Sequence, residues 1–220
     1  MAERFLNRTE AGQRLAAELT RYAGQGDVLV LGLPRGGVPV AFEIAMALDA
    51  PLDVFIVRKL GLPGHEEFGI GAIASGGVRV VDESVLRAYG VDGETLDRIT
   101  VRERRELERR ERLYRDDRAF PSVAGRSVIL VDDGLATGST MRAAIAALRA
   151  EGPRSIVVAV PVGAPETCAA IGALADEVVC LEMPEPFYAV GLWYEDFEQT
   201  EDGEVHELLE RAAARAVPRQ

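Results

Sequence analysis

The stretch VILVDDGLATGST, residues 128–140, places two adjacent acids, Asp132 and Asp133, directly after four apolar residues. Charges at the mouth of an apolar strand are costly to desolvate without a ligand or ion. Side by side, two carboxylates can take a pair of sugar hydroxyls or a divalent cation. The next turn, Ala136, Thr137, Gly138, Ser139 and Thr140, opens an Ala-rich helix. Backbone N–H groups and hydroxyls at a helix N-terminus, where the dipole favours negative charge, form a cradle for phosphate. The plain alternative is a helix cap preceded by two turn-forming acids. A second glycine turn lies in VLGLPRGGVPVAFEIA, where Arg35 precedes Gly36 and Gly37; without a Cβ, an anion can approach the main chain closely. Further along, Arg58 and Lys59 end an apolar run and lead into the Gly/Pro-rich stretch LGLPGHEEFGIG. Near the C-terminal end, PFYAVGLWYEDFE gathers aromatics around Tyr188 with an acid at Glu195. An aromatic face can stack on a flat base and a carboxylate can take Mg2+, although the same aromatics could pack the last helix onto a core.

Residues of these types act together only if the elements between them bring the loops to one edge. Short apolar runs, DVLVLGL, LDVFIVR, GIGAIA, VRVV, SVILVDD, SIVVAVPV and EVVCLEM, alternate with helical spacings such as Ala11, Leu15, Leu19 and Tyr22 or Met141, Ile145 and Leu148. That alternation predicts an α/β fold, a mostly parallel sheet flanked by helices. The segment 82–118 differs: from Arg102 to Arg118 nearly every residue is charged, with Glu106/Arg110, Glu108/Arg112 and Glu111/Arg115 four apart and the acid first. It reads as a solvated surface or interface helix. GIGAIA matches a dinucleotide fingerprint by letter, but a turn and a strand come after it where a helix is required. His65 reads as a solvated loop histidine.

The first stretch, with its apolar run, two acids and T-G-x-T loop, resembles the phosphoribosyl diphosphate signature of the type I phosphoribosyltransferases. The resemblance implies that Asp132 and Asp133 bind the ribose 2- and 3-hydroxyls, with a role for them toward Mg2+, and that the Ala136–Thr140 loop holds the 5-phosphate. VLGLPRGG resembles the family's diphosphate loop, with Arg35 as its basic residue; the peptide bond before that residue is often cis in the family, here Pro34–Arg35. VRKLGLPGHEEFGIGAIASGG resembles the mobile catalytic loop, Lys59 first and Arg58 second bringing positive charge to the departing diphosphate. PFYAVGLWYEDFE resembles the hood of the 6-oxopurine members, which makes Tyr188 the stacking residue and Glu195 a ligand for Mg2+. Ala136 departs from those members, which carry an acid there to deprotonate the purine. Hood and phosphate loop therefore point to different subgroups.

Taken over the chain, the resemblance implies one phosphoribosyltransferase domain, residues 1–220, with a helical insertion at about 82–118 and hood elements at about 183–200. Its implied activity is Mg2+-dependent transfer of ribose 5-phosphate from phosphoribosyl diphosphate to a small heterocyclic acceptor, with release of diphosphate. The alternative is a regulator that binds phosphoribosyl diphosphate or a nucleotide without turnover. A homodimer is admitted. A formal net charge of −11 disfavours nucleic acid and anionic membranes as partners, and each apolar stretch is interrupted well before it reaches the ~18 residues of a membrane span. Two cysteines give no disulfide framework and no charged leader is evident, so a cytoplasmic protein is expected. No Walker loop and no G-x-S-x-G elbow occurs.

Overall fold

A computed structural model describes residues 4–116 and 118–216, without the side chains of Glu66, Glu67 and Ala216. Strands β1 (Val28–Gly32), β2 (Leu52–Val54), β6 (Ser127–Val131), β7 (Ser155–Val162) and β8 (Glu177–Glu182) form a parallel sheet in the order β2-β1-β6-β7-β8. Every residue of β1 and β6 is buried, as expected of strands covered on both faces. On one face lie α1 (Arg8–Glu18) and α2 (Gly37–Leu48), packing Leu15, Val40 and Ile44 on Val30 and Ile129. On the other, α5 (Ser139–Ala150) and α6 (Pro165–Gly172) pack Met141, Ile145, Leu148 and Ile171 on Leu130 and Val158. The expected fold class holds. Register pairs Gly32 with Val131, so β1 and β6 end side by side. Their outgoing loops share the carboxyl edge, where open α/β sheets bind ligands.

LDVFIVR does not run as one strand. After Val54 the chain leaves the parallel sheet: Phe55 N–H bonds to Gly32 O (3.0 Å), Ile56 N–H to Ser75 Oγ (3.1 Å), and Val57 pairs with Ala74. From there β3 (Val57–Leu62), β4 (His65–Ala74) and β5 (Arg79–Val81) build a separate antiparallel sheet. The Gly/Pro-rich stretch expected as a loop is thus the arm of a hairpin. Its register shifts at Gly61, and at its tip Gly64 takes φ 78°, a left-handed turn that glycine adopts without steric cost.

The segment expected to be an insertion forms two helices, α3 (Glu83–Tyr89) and α4 (Gly93–Arg115). Asp82 caps the first by accepting from Ser84 and Val85 N–H, Gly90 ends it in the left-handed region, and Asp92 caps the second through Thr95 N–H. The solvated reading of α4 needs correction. Leu96, Ile99, Thr100, Glu103, Leu107 and Tyr114 form a buried stripe at helical spacing, and its Leu96, Ile99, Leu107 and Tyr114 pack in one cluster with Leu60 and Ile73 of the arm and Val205 and Leu209 of α7 (Asp202–Ala216). Charge hides this stripe in the sequence, because Glu103 is buried through its bond with Arg58. Among the described residues no helix is long and apolar enough to cross a membrane.

Candidate active site

Two turns meet where β1 and β6 end, and their glycines let them meet. A Cβ on Gly37 would stand 2.6 Å from Val131 O and 2.8 Å from Asp132 Cα, and one on Gly36 would run into the Asp133 carboxylate. No larger residue fits either position while the acids stay where they are. The Pro34–Arg35 peptide bond is cis, as the resemblance implied. Arg35 reaches toward the start of α7, its NH1 3.9 Å from both Glu201 and Asp202. Asp202 in turn accepts from Tyr114 Oη of the insertion (2.5 Å).

Asp132 and Asp133 are partly open to solvent by surface yet closely surrounded by protein. Burial pushes the Asp132 carboxyl well up from its ordinary value, and the adjacent Asp133 charge pushes it further. Burial also raises Asp133, against the opposing pull of Arg8. Arg8, at the first position of α1, donates from Nε to Asp133 Oδ2 (2.8 Å) and from NH1 to Glu198 O (2.7 Å), with its guanidinium 3.9 Å from the centre of the Phe197 ring. Sequence reasoning missed this residue. A signal existed: a cation opening a helix opposes the helix dipole, so its place there needs another partner.

The loop after the acids is held from beneath by α6. Leu135 N–H bonds to Val162 O (2.8 Å), and Thr167 Oγ1 donates to Ala136 O (2.7 Å). Gly138 takes φ 69°, with Thr167 so close that a Cβ would lie 2.7 Å from its methyl. The N-cap of helix α5, Gly138, offers no side-chain bond; Ser139 N–H makes a long contact with Thr137 Oγ1 (3.5 Å), and the N–H groups that follow it in the first turn are available to an anion. Lys59 Nζ donates to Ser139 Oγ (2.6 Å), which brings the arm onto this loop. Arg58, on the opposite face of β3, forks instead onto Glu103 of α4 (3.0 and 2.6 Å). Lys59 is also the chain's only lysine.

The segment expected to form a hood is tied to the N-terminal segment. Phe5 N–H bonds to Trp193 O, and Glu195 N–H to Phe5 O. Of its aromatics, Tyr194 faces the acids: it is buried against Phe5 and Phe197, and its hydroxyl donates to Asp133 O (2.6 Å). Burial, with the Asp133 charge adding to it, raises the Tyr194 phenol. Tyr188 stands in the same segment 78% exposed, without a ring contact among the described residues. Glu195 is exposed. It does not join Asp132 and Asp133 within 4.8 Å; among the described residues the group of three that does gather so is Asp116, His206 and Glu210, on the insertion and α7.

The model of the phosphoribosyl transferase domain matches residues 3–195. The chain belongs to the phosphoribosyl transferases. It is 47% identical over 208 residues to Rv0571c and MT0597 of Mycobacterium tuberculosis, whose names assign them to the phosphoribosyl transferases; the match takes in 94% of this chain and 47% of theirs. The chain therefore spans about half the length of these curated relatives. Among solved structures, TT1426 from Thermus thermophilus superposes with a TM-score of 0.85 at 46% identity, covering 94% of this chain and 98% of that one. AQ2163 from Aquifex aeolicus shares the fold at 12% identity, with a TM-score of 0.50 over 84% of this chain and 78% of that one. The type I fold of this family is the architecture described above.

Proposed function

We propose that this phosphoribosyl transferase moves ribose 5-phosphate from phosphoribosyl diphosphate to a nitrogen of a small heterocyclic acceptor and releases diphosphate. One observation carries the reading: glycine clearance sets the Arg35–Gly37 turn against the two acids, beside a helix whose N-cap, Gly138, offers its first turn no side chain. In this reading Thr137 to Thr140 hold the 5-phosphate and Asp132 and Asp133 hold the ribose hydroxyls. The N–H groups around Gly36 and Gly37, with Arg35, hold the diphosphate. Anchoring the distant phosphate spends its binding energy on orienting the anomeric carbon. Lys59, carried by the arm, adds positive charge where the leaving group develops negative charge. Arg58 is engaged by the insertion and has no part in this proposal.

Asp132 fits a divalent cation. Its carboxylate is desolvated and receives the Asp133 N–H (2.9 Å), while the nearby guanidinium of Arg8 bonds to Asp133. Asp132 and Asp133 would hold Mg2+, which when bound supplies charge neutralisation at the diphosphate. Glu195 lies apart from them and would join only from another position of the hood.

A second reading, binding without turnover, is favoured by Ala136, which offers no base for the acceptor. A single experiment separates the two: diphosphate release is followed with phosphoribosyl diphosphate, Mg2+ and a panel of purine, pyrimidine and pyridine bases, beside calorimetric binding of phosphoribosyl diphosphate alone. Transfer to one base supports the enzyme, and Lys59→Ala should then lower kcat far more than affinity. Binding without release for any base selects the regulator. Absence of binding, or undiminished binding by Asp132→Asn/Asp133→Asn, defeats the site itself.

A further inference from the structure

Behind the phosphate loop, a cavity of about 820 Å³ opens between the arm and α5, within the size range of small-molecule sites. Its two walls are lined by small residues. On the arm Gly69 and Ala72 face it, and on α5 Ala143 and Ala146. A Cβ placed on Gly69 would meet nothing within 4 Å. The spacing is therefore not closed by side chains, although ordinary packing between a sheet and a helix would fill it.

The charges at its rim are unequal in their engagements. Asp82 is committed to capping α3, and Glu83 faces Arg87 at 4.0 Å. Arg142, by contrast, makes no ion pair or side-chain hydrogen bond among the described residues. Lys59, also on the rim, bonds to the neutral Ser139 hydroxyl. Neither cation of the rim, Lys59 or Arg142, has an acidic partner among the described residues, and both stand beside a slot with apolar walls of Val80, Val81 and alanines. A planar body carrying a phosphate monoester answers both features: the ring lies between the walls, and the phosphate takes the Arg142 fork together with the Lys59 ammonium.

We propose that this slot, which borders the cradle at Ser139, is a second ligand site that takes a nucleoside monophosphate away from Asp132 and Asp133. Resting on the transferase reading, occupancy also lowers turnover, because the phosphate engages Lys59, the cation which that reading assigns to the departing diphosphate. The ligand class coincides with the chemical class of the product, a heterocycle on ribose 5-phosphate, so the site would report product accumulation.

The test titrates AMP, GMP, CMP, UMP and inorganic phosphate by calorimetry into the wild-type chain, into Asp132→Asn/Asp133→Asn to disable the cradle, and into Gly69→Leu and Arg142→Ala to fill or discharge the slot. Gly69 has open space and no left-handed φ, so its substitution is compatible with the fold; unchanged melting and unchanged phosphoribosyl diphosphate affinity confirm that. The expected result is one nucleotide bound by the cradle variant within about twofold of wild type and at least tenfold more weakly by both slot variants, with inorganic phosphate weaker than the nucleotide. The proposal is overturned if no nucleotide binds, if binding disappears with the cradle variant, if both slot variants bind normally, or if inorganic phosphate binds as well as the nucleotide. Phosphoribosyl diphosphate titrations on the same proteins score the transferase reading separately. Where turnover is measurable, inhibition that persists at saturating phosphoribosyl diphosphate and is lost in Gly69→Leu supports the link to Lys59, and purely competitive inhibition overturns it.

Discussion

Asp132 carries its charge in surroundings that oppose it, burial first and the Asp133 charge second. With a folded pKa above the unfolded one, the unfolded chain ionises first as pH rises, and the folded state loses stability through that window and stays lower beyond it. Asp132→Asn removes this titration. At neutral pH it should raise Tm, by about 2–4 °C for each kcal/mol regained, while abolishing phosphoribosyl diphosphate binding. The gain should shrink toward zero as pH falls below the ordinary carboxylate range; melting curves from pH 3.5 to 8 read this directly, and a pH-independent difference would contradict it. Arg8 is the opposite case. Its side chain and that of Asp133 are only 12% and 16% exposed, so Arg8→Ala leaves a desolvated carboxylate without its cation, at a cost of about 3 kcal/mol. In a double-mutant cycle with Asp133→Asn, urea unfolding should show much of that loss recovered. Additive losses would mean that Arg8 acts through Phe197 and Glu198 alone.

At the scale of elements, α6 supports the loop that α5 opens. Thr167 at its N-terminal turn bonds to Ala136 O and presses on Gly138, so the loop's shape depends on a helix about 30 residues further along. Thr167→Val keeps the volume and removes the hydroxyl. It should weaken phosphoribosyl diphosphate binding about fivefold, the equivalent of about 1 kcal/mol for one hydrogen bond, and leave the affinity for the acceptor unchanged. Calorimetry on both ligands tests this, and an unchanged affinity for phosphoribosyl diphosphate would show that the backbone bonds of Leu135, its N–H to Val162 O (2.8 Å) and its carbonyl from Ala164 N–H (2.9 Å), suffice. The arm divides its labour by strand alternation. Lys59 meets the loop that opens α5, at Ser139, and Arg58 clamps α4 through Glu103.

Across the whole molecule, Arg115 joins the insertion to the junction between the two sheets. Its buried guanidinium bonds to Asp53 (2.6 Å), Glu111 (2.8 Å), Val54 O (2.5 Å) and Ser75 Oγ (3.1 Å), and it lies over the Phe120 ring. Asp53 is raised by burial in spite of this partner. Arg115→Ala strands Asp53 and several acceptors at once, and should cost about 3–5 kcal/mol, read as a lower urea midpoint. An unaltered midpoint would show that the α4 stripe alone docks the insertion. Much of the molecule was legible in the chain itself: the parallel sheet, the acids at its edge, the loop that opens α5 and the glycine turn are each contiguous, and contiguous patterns follow from strand and helix periods and from what glycine permits. Less could be read where the information is a meeting of distant segments. Arg8 and Asp133 are 125 positions apart, and neither residue's neighbours announce the other. The resemblance made Tyr188 the expected stacking residue, and in the fold packing against Phe5 turns Tyr194 toward the acids. Alternation dictated that Arg58 and Lys59 face opposite ways, but only the departure of β3 from the parallel sheet after Val54 decided which one meets the phosphate loop. A local pattern fixes the faces of an element; what each face touches is fixed by burial summed over the whole fold.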